Sequence, residues 1–141
     1  MTMLSERDRE AVRKRLQGLA KPVQLVNFTQ QLECQFCRET RTLLEEVSAL
    51  SDKVSLEVYN FQTDRNKRDE FGVDKIPATL IMSDQDHGIR YYGIPSGYEF
   101  ASLLDTMLLV SQGDSGLSAA TRRRLAEVAK PLHLEVFVTP T

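Results

Sequence analysis

The stretch Val23-Gln24-Leu25-Val26-Asn27-Phe28-Thr29-Gln30-Gln31-Leu32-Glu33-Cys34-Gln35-Phe36-Cys37 decides how this chain is read. Val23 to Phe28 is a short apolar run with the character of a buried strand, and it leads into the polar loop Thr29-Gln30-Gln31. From Cys37 onward, Thr40, Leu43, Leu44, Val47 and Leu50 keep helical spacing, so the cysteines mark a helix start. Unpaired N–H groups and the positive end of the helix dipole stabilise a thiolate there. A free thiol titrates near pH ~8.5, and such placement can lower that to about 3.5–7.5. Cys34 is the expected nucleophile. Cys37, one helical turn later, is placed to attack a mixed disulfide and release the partner, which is dithiol–disulfide exchange. Arg38 and Arg41 favour a thiolate at Cys34, and Glu33 opposes it.

Upstream, Ser5 followed by charged residues has the form of a helix N-cap, with Val12, Leu16 and Leu19 on one apolar face up to Lys21-Pro22. Downstream, Val54, Leu56 and Val58 alternate with Ser55, Glu57 and Tyr59 as a strand with one more polar face. A short charged helix is predicted over Asp64 to Phe71, closed by Gly72 in the left-handed region. Thr79 to Met82 is a strand, Ser83 to Gly88 a hairpin turn, and Ile89 to Tyr92 the returning strand. Phe100, Leu103, Leu104, Met107 and Leu108 form a further amphipathic helix. The order is β-α-β-α-β-β-α, preceded by one extra helix.

The chain of 141 residues, 41% hydrophobic, can bury one ordinary core. A net charge of −2 with both signs interspersed gives no pull toward nucleic acid or a membrane surface. Arg13-Lys14-Arg15 and Arg122-Arg123-Arg124 sit within helical patterns and read as solvated faces. No apolar run reaches membrane-spanning length, and Glu6 to Glu10 replace the apolar core of a signal peptide. The expected location is cytoplasmic. Two cysteines are too few for a disulfide scaffold.

Zinc also uses Cys-x-x-Cys, but it needs four ligands and only His87 and His133, both distant, could complete the set. No metal is expected. A purely structural bridge over so short a loop would restrain the unfolded chain by only about 1–2 kcal/mol.

A shift of 109 positions lays Arg13-Lys14-Arg15-Leu16 on Arg122-Arg123-Arg124-Leu125, Ala20-Lys21-Pro22 on Ala129-Lys130-Pro131, Leu25 on Leu134 and Phe28 on Phe137. The expected organisation is a first unit over 1–112, a linker over 113–117 and the opening helix and strand of a second unit over 118–141.

A second signal lies forty positions beyond Cys37, where Ile76-Pro77 directly precedes the strand Ala78-Thr79-Leu80-Ile81. Proline at a strand entry needs no ladder hydrogen bond, and a cis X–Pro bond costs only about 0.5–1 kcal/mol. With the Cys-x-x-Cys motif, this resembles the thioredoxins and glutaredoxins. The stretch Gly88 to Phe100, Val136-Phe137-Val138-Thr139-Pro140-Thr141 and the repeated opening resemble more narrowly the tandem, glutaredoxin-like protein disulfide oxidoreductases of archaea and thermophilic bacteria. That resemblance implies a thioredoxin fold, a three-layer α/β/α arrangement on a mixed sheet. It implies a cis Ile76–Pro77 bond beside the cysteines, with Ile76, Pro77, Gln35 and Phe36 contacting an extended substrate peptide. The Trp-Cys-Gly-Pro-Cys pattern of ordinary thioredoxin is absent. The paired glycines of a glutaredoxin glutathione site reduce to Gly93.

The expected activity is thiol–disulfide exchange with protein substrates, the Cys34–Cys37 disulfide serving in place of a cofactor and an electron-donating reductase as the second partner. Two alternatives stay open: a reductase module for one dedicated partner such as a peroxiredoxin, and a non-catalytic peptide-binding module. Residues 118–141 are too apolar for comfortable solvation, so they are expected to pack back on the first unit, to form a homodimer, or to stay disordered.

Overall fold

The computed structural model describes residues 1–139. Its elements are α1 (Glu6–Leu16), β1 (Val23–Thr29), α2 (Cys37–Ser48), β2 (Val54–Asn60), α3 (Arg65–Glu70), β3 (Ala78–Met82), β4 (Arg90–Tyr92), α4 (Tyr98–Gln112) and α5 (Ala119–Ala126). The sheet order is β2-β1-β3-β4. β1 runs parallel to β2, with Val23 opposite Val54, and antiparallel to β3, with Phe28 opposite Ala78. β3 pairs antiparallel with β4. β1, bonded on both sides, is therefore the strand around which the unit is built.

α1 begins where the Ser5 hydroxyl accepts the Asp8 N–H at 3.1 Å. Glu6 and Asp8 in its first turn and Arg13, Lys14 and Arg15 in its last turn complement the helix dipole. The segment before it is pinned to α2, because the Met3 and Leu4 N–H groups donate to the Glu46 carboxylate at 2.8 Å each. Val12 and Leu16 join Leu43, Leu44 and Val47 of α2 and Leu103, Leu104 and Met107 of α4 against Val23, Leu25 and Ile81 of the sheet. Each such buried side chain contributes on the order of 1.5–3 kcal/mol.

The opposite face is thinner. Val26, Phe28, Ala78, Leu80 and Met82 are covered there by Phe71 and Val73, which follow α3, and by Tyr59 and Phe61. The layers are helix, mixed sheet and helix, with the extra helix α1 on the thicker side.

α4 ends at Gln112 with Gly113 left-handed at φ 69, and Ser118 caps α5 by accepting the Thr121 N–H. The strand expected over Leu134 to Val138 is not formed. β1 is held by β2 and β3, and no such neighbours flank these residues among the described ones. Leu134, Val136 and Phe137 are 86–89% exposed, so these apolar side chains do not pack back on the first unit. Residues 140–141 of that expected second unit lie outside the described residues.

Candidate functional site

β1 carries the chain to the carboxyl end of the sheet, where residues 30–36 form an irregular loop and α2 begins at Cys37. Cys34 and Cys37 are joined as a disulfide with Cα atoms 5.5 Å apart. The two sulfur-bearing residues are unlike: Cys34 is half-buried, whereas Cys37 is 1% exposed and begins the buried face of α2. A nucleophile must be reachable and a resolving thiol need not be, so this asymmetry assigns the two roles in the order the spacing suggests.

No side chain caps α2, and Phe36 occupies the cap position. The first-turn N–H groups therefore face the cysteine loop without a competing side-chain acceptor from the cap, which favours a thiolate at Cys34 once the disulfide is reduced. Arg41 is held by Glu45 at 2.8 Å and Arg38 is exposed. Glu33 is exposed and takes φ 57, the only non-glycine residue in the left-handed region among the described residues.

The sheet register brings the second motif to the same place. Phe28 faces Ala78 across the β1–β3 pair, so Pro77 enters the sheet at the end where β1 delivers the cysteine loop. The Ile76–Pro77 bond is cis. Pro77 is buried and Ile76 half-buried, while Gln35 and Phe36 are exposed, Phe36 to 41%. The Pro77 carbonyl accepts the Gly93 N–H at 2.9 Å, and Gly93 stands at φ 89, a conformation open to glycine. Asn27 Nδ2 donates to the Ala78 carbonyl at 3.0 Å, tying the strand before the cysteines to the residue after the proline.

Sequence reasoning passed over Asn27 and Glu33. An amide inside an otherwise apolar strand was a visible signal for Asn27. No sequence feature marks Glu33 as left-handed.

The two histidines lie apart from the site: His87 bonds Ser83 at 2.7 Å and His133 pairs with Glu135 at 2.8 Å. Among the described residues no three His, Cys, Asp or Glu side chains converge as a metal site, and no helix is long and apolar enough to cross a membrane.

No protein-family model matches the chain. Over 100 residues it is 35% identical to the alkyl hydroperoxide reductase AhpF of Xanthomonas campestris pv. phaseoli, covering 71% of this chain and 17% of that protein. Among solved structures, a protein disulfide oxidoreductase from Aeropyrum pernix K1 superposes with a TM-score of 0.81 at 28% identity, over 91% of this chain and 56% of that one. The NTD_N/C domain of alkylhydroperoxide reductase AhpF from Enterococcus faecalis superposes with a TM-score of 0.76 at 26% identity, over 87% of this chain and 60% of that one. The chain thus spans under a fifth of the curated relative and little more than half of each structure.

Proposed function

We propose that this chain, a thiol–disulfide redox module with the thioredoxin fold, exchanges disulfides with protein partners through Cys34 and Cys37 in a cytoplasmic setting. In the reducing direction the Cys34 thiolate attacks one sulfur of a partner disulfide, and the other partner sulfur leaves as a thiolate. Cys37 then loses its proton and attacks Cys34 Sγ. The intermolecular bond breaks, the second partner sulfur leaves, and the Cys34–Cys37 disulfide closes. The partner gains two electrons and the module loses two, to be restored by an electron-donating reductase. The pair's own disulfide carries the redox equivalents without a separate cofactor.

The observation that carries this reading is the disulfide at the start of α2 with one member half-exposed and the other buried. Ile76, Pro77, Gln35 and Phe36 line the expected path of a substrate peptide. The test is reduction of insulin disulfides by dithiothreitol. The native chain accelerates it and Cys34→Ser abolishes the acceleration; an unchanged rate with Cys34→Ser contradicts the proposal.

The likeness to the alkyl hydroperoxide reductase AhpF favours a narrower second reading, a dedicated reductase module for a peroxide-reducing protein. Preference for such a protein over insulin separates the two. We further propose that residues 118–141 begin a second unit of the same kind, on the strength of the repeated helix–strand opening, and that they join two copies of the chain as a homodimer.

A further inference from the structure

One layer beneath the disulfide, the packing between α2 and the sheet changes character. Cys37 and Thr40 lie one helical turn apart on the same buried face of α2, followed by Leu44 and Val47. α2 runs back along β1, so its buried face meets the face of the sheet that carries Leu25 and Ile81. Asn27 and Thr79 are directly opposite each other in the β1–β3 pair, two positions along from Leu25 and Ile81 and on the same face as them. Thr40 therefore sits at the level of Asn27 and Thr79, with apolar residues on one side and Cys37 on the other.

All three are 0% exposed. Asn27 donates its amide hydrogen to the Ala78 carbonyl, but Asn27 Oδ1, Thr40 Oγ1 and Thr79 Oγ1 are buried without a hydrogen-bond partner. The remaining atom of this kind among the described residues, Glu39 Oε2, belongs to a half-buried carboxylate of the same helix. The contrast with Ser111 is informative: also 0% exposed, it accepts the Lys21 N–H at 2.8 Å and donates to the Lys21 carbonyl at 2.7 Å. Buried hydroxyl and amide groups are seldom left unpaired, because each orphan costs about 1–3 kcal/mol. Three orphans on adjoining elements, two acceptor–donor hydroxyls and one acceptor, form the set that one internal water satisfies.

We propose that Asn27, Thr40 and Thr79 enclose one internal water beneath Cys37, and that this water receives the Cys37 proton as the disulfide closes. The inference rests on the exchange reading above. In the closing step the Cys37 S–H bond breaks and its electron pair becomes the nucleophile on Cys34 Sγ. The proton passes through the water to the departing partner thiolate, and no other reactant is required. The three side chains are positioning residues: they hold the water and do not touch the partner.

The test is stopped-flow oxidation of the reduced chain by 5,5′-dithiobis(2-nitrobenzoate), which releases one thiolate when Cys34 attacks and a second when Cys37 closes the ring. Thr79→Val and Thr40→Val remove one hydroxyl each at nearly constant shape. The expected result is a second phase slowed about tenfold, the worth of one hydrogen bond near its usual strength, with the first phase unchanged and the second restored in Thr79→Ser. A second phase unchanged in both valine variants, or slowed equally with the first, overturns the proposal. So does a raised thermal midpoint in oxidised Thr79→Val, which marks the layer as dry. Failure of the exchange reading itself looks different: the native chain then releases no second thiolate.

Discussion

Glu33 stands immediately before the nucleophile in a left-handed conformation that costs a non-glycine residue roughly 1–2 kcal/mol. Its carboxylate opposes ionisation of Cys34, while the N-terminus of α2 promotes it. Asparagine tolerates the left-handed region and carries no charge. Glu33→Asn is therefore expected to lower the Cys34 thiol pKa and speed alkylation by iodoacetamide near neutral pH, with the disulfide bond still able to form. A slower reaction contradicts this balance. Cys34, Cys37 and Pro77 were legible in the sequence, because their chemistry is tied to residue type and spacing. The conformation of Glu33 and the polar layer around Asn27 were not. The first is imposed by the geometry of the loop, and the second exists only once β1, β3 and α2 are brought together.

At the scale of elements, the alternation of Val54 to Tyr59, the apolar run of β1 and the helical spacing after Cys37 each appear as the sequence indicates. Pairing was less legible, since hydrophobic pattern fixes which face is buried and says little about which strand is the neighbour. The hairpin between β3 and β4 shows what residue pattern alone leaves out. Arg90 donates to both carboxylate oxygens of Asp86, at 2.8 and 2.6 Å, and to the Phe71 carbonyl at 3.0 Å. The Arg90 guanidinium, aided by the Gly88 N–H, holds the Asp86 carboxyl below its ordinary range. A depressed folded-state value means the pair stabilises the fold above the unfolded pKa, near ~3.9, and that this contribution is lost as pH falls through the lower folded value. Asp86→Asn should therefore melt below the native chain by a constant margin at neutral and mildly acidic pH. That margin should narrow below pH ~4. A margin that widens with acid contradicts the assignment.

For the whole molecule, one unit is complete and residues 118–139 follow it as a helix and an exposed apolar segment. The repeat is a property of sequence and could be read there. Whether the repeated segment becomes a strand depends on neighbours, and for that reason its expected strand is absent here. Because its apolar side chains add nothing to the core of the first unit, deleting residues 118–141 should leave the denaturation midpoint of that unit unchanged. Under the homodimer proposal, light scattering should find a dimer with the segment and a monomer without it. A monomer in both cases contradicts the dimer.

The claim on which the rest depends is the division of labour between the two sulfurs, and mixed-disulfide trapping tests it most directly. Reduced Cys37→Ser and Cys34→Ser chains are each incubated with a disulfide-bonded protein and resolved without reductant. The account predicts a stable covalent adduct through Cys34 in Cys37→Ser and none in Cys34→Ser. Adducts of equal yield from both variants, or an adduct from Cys34→Ser alone, would contradict it.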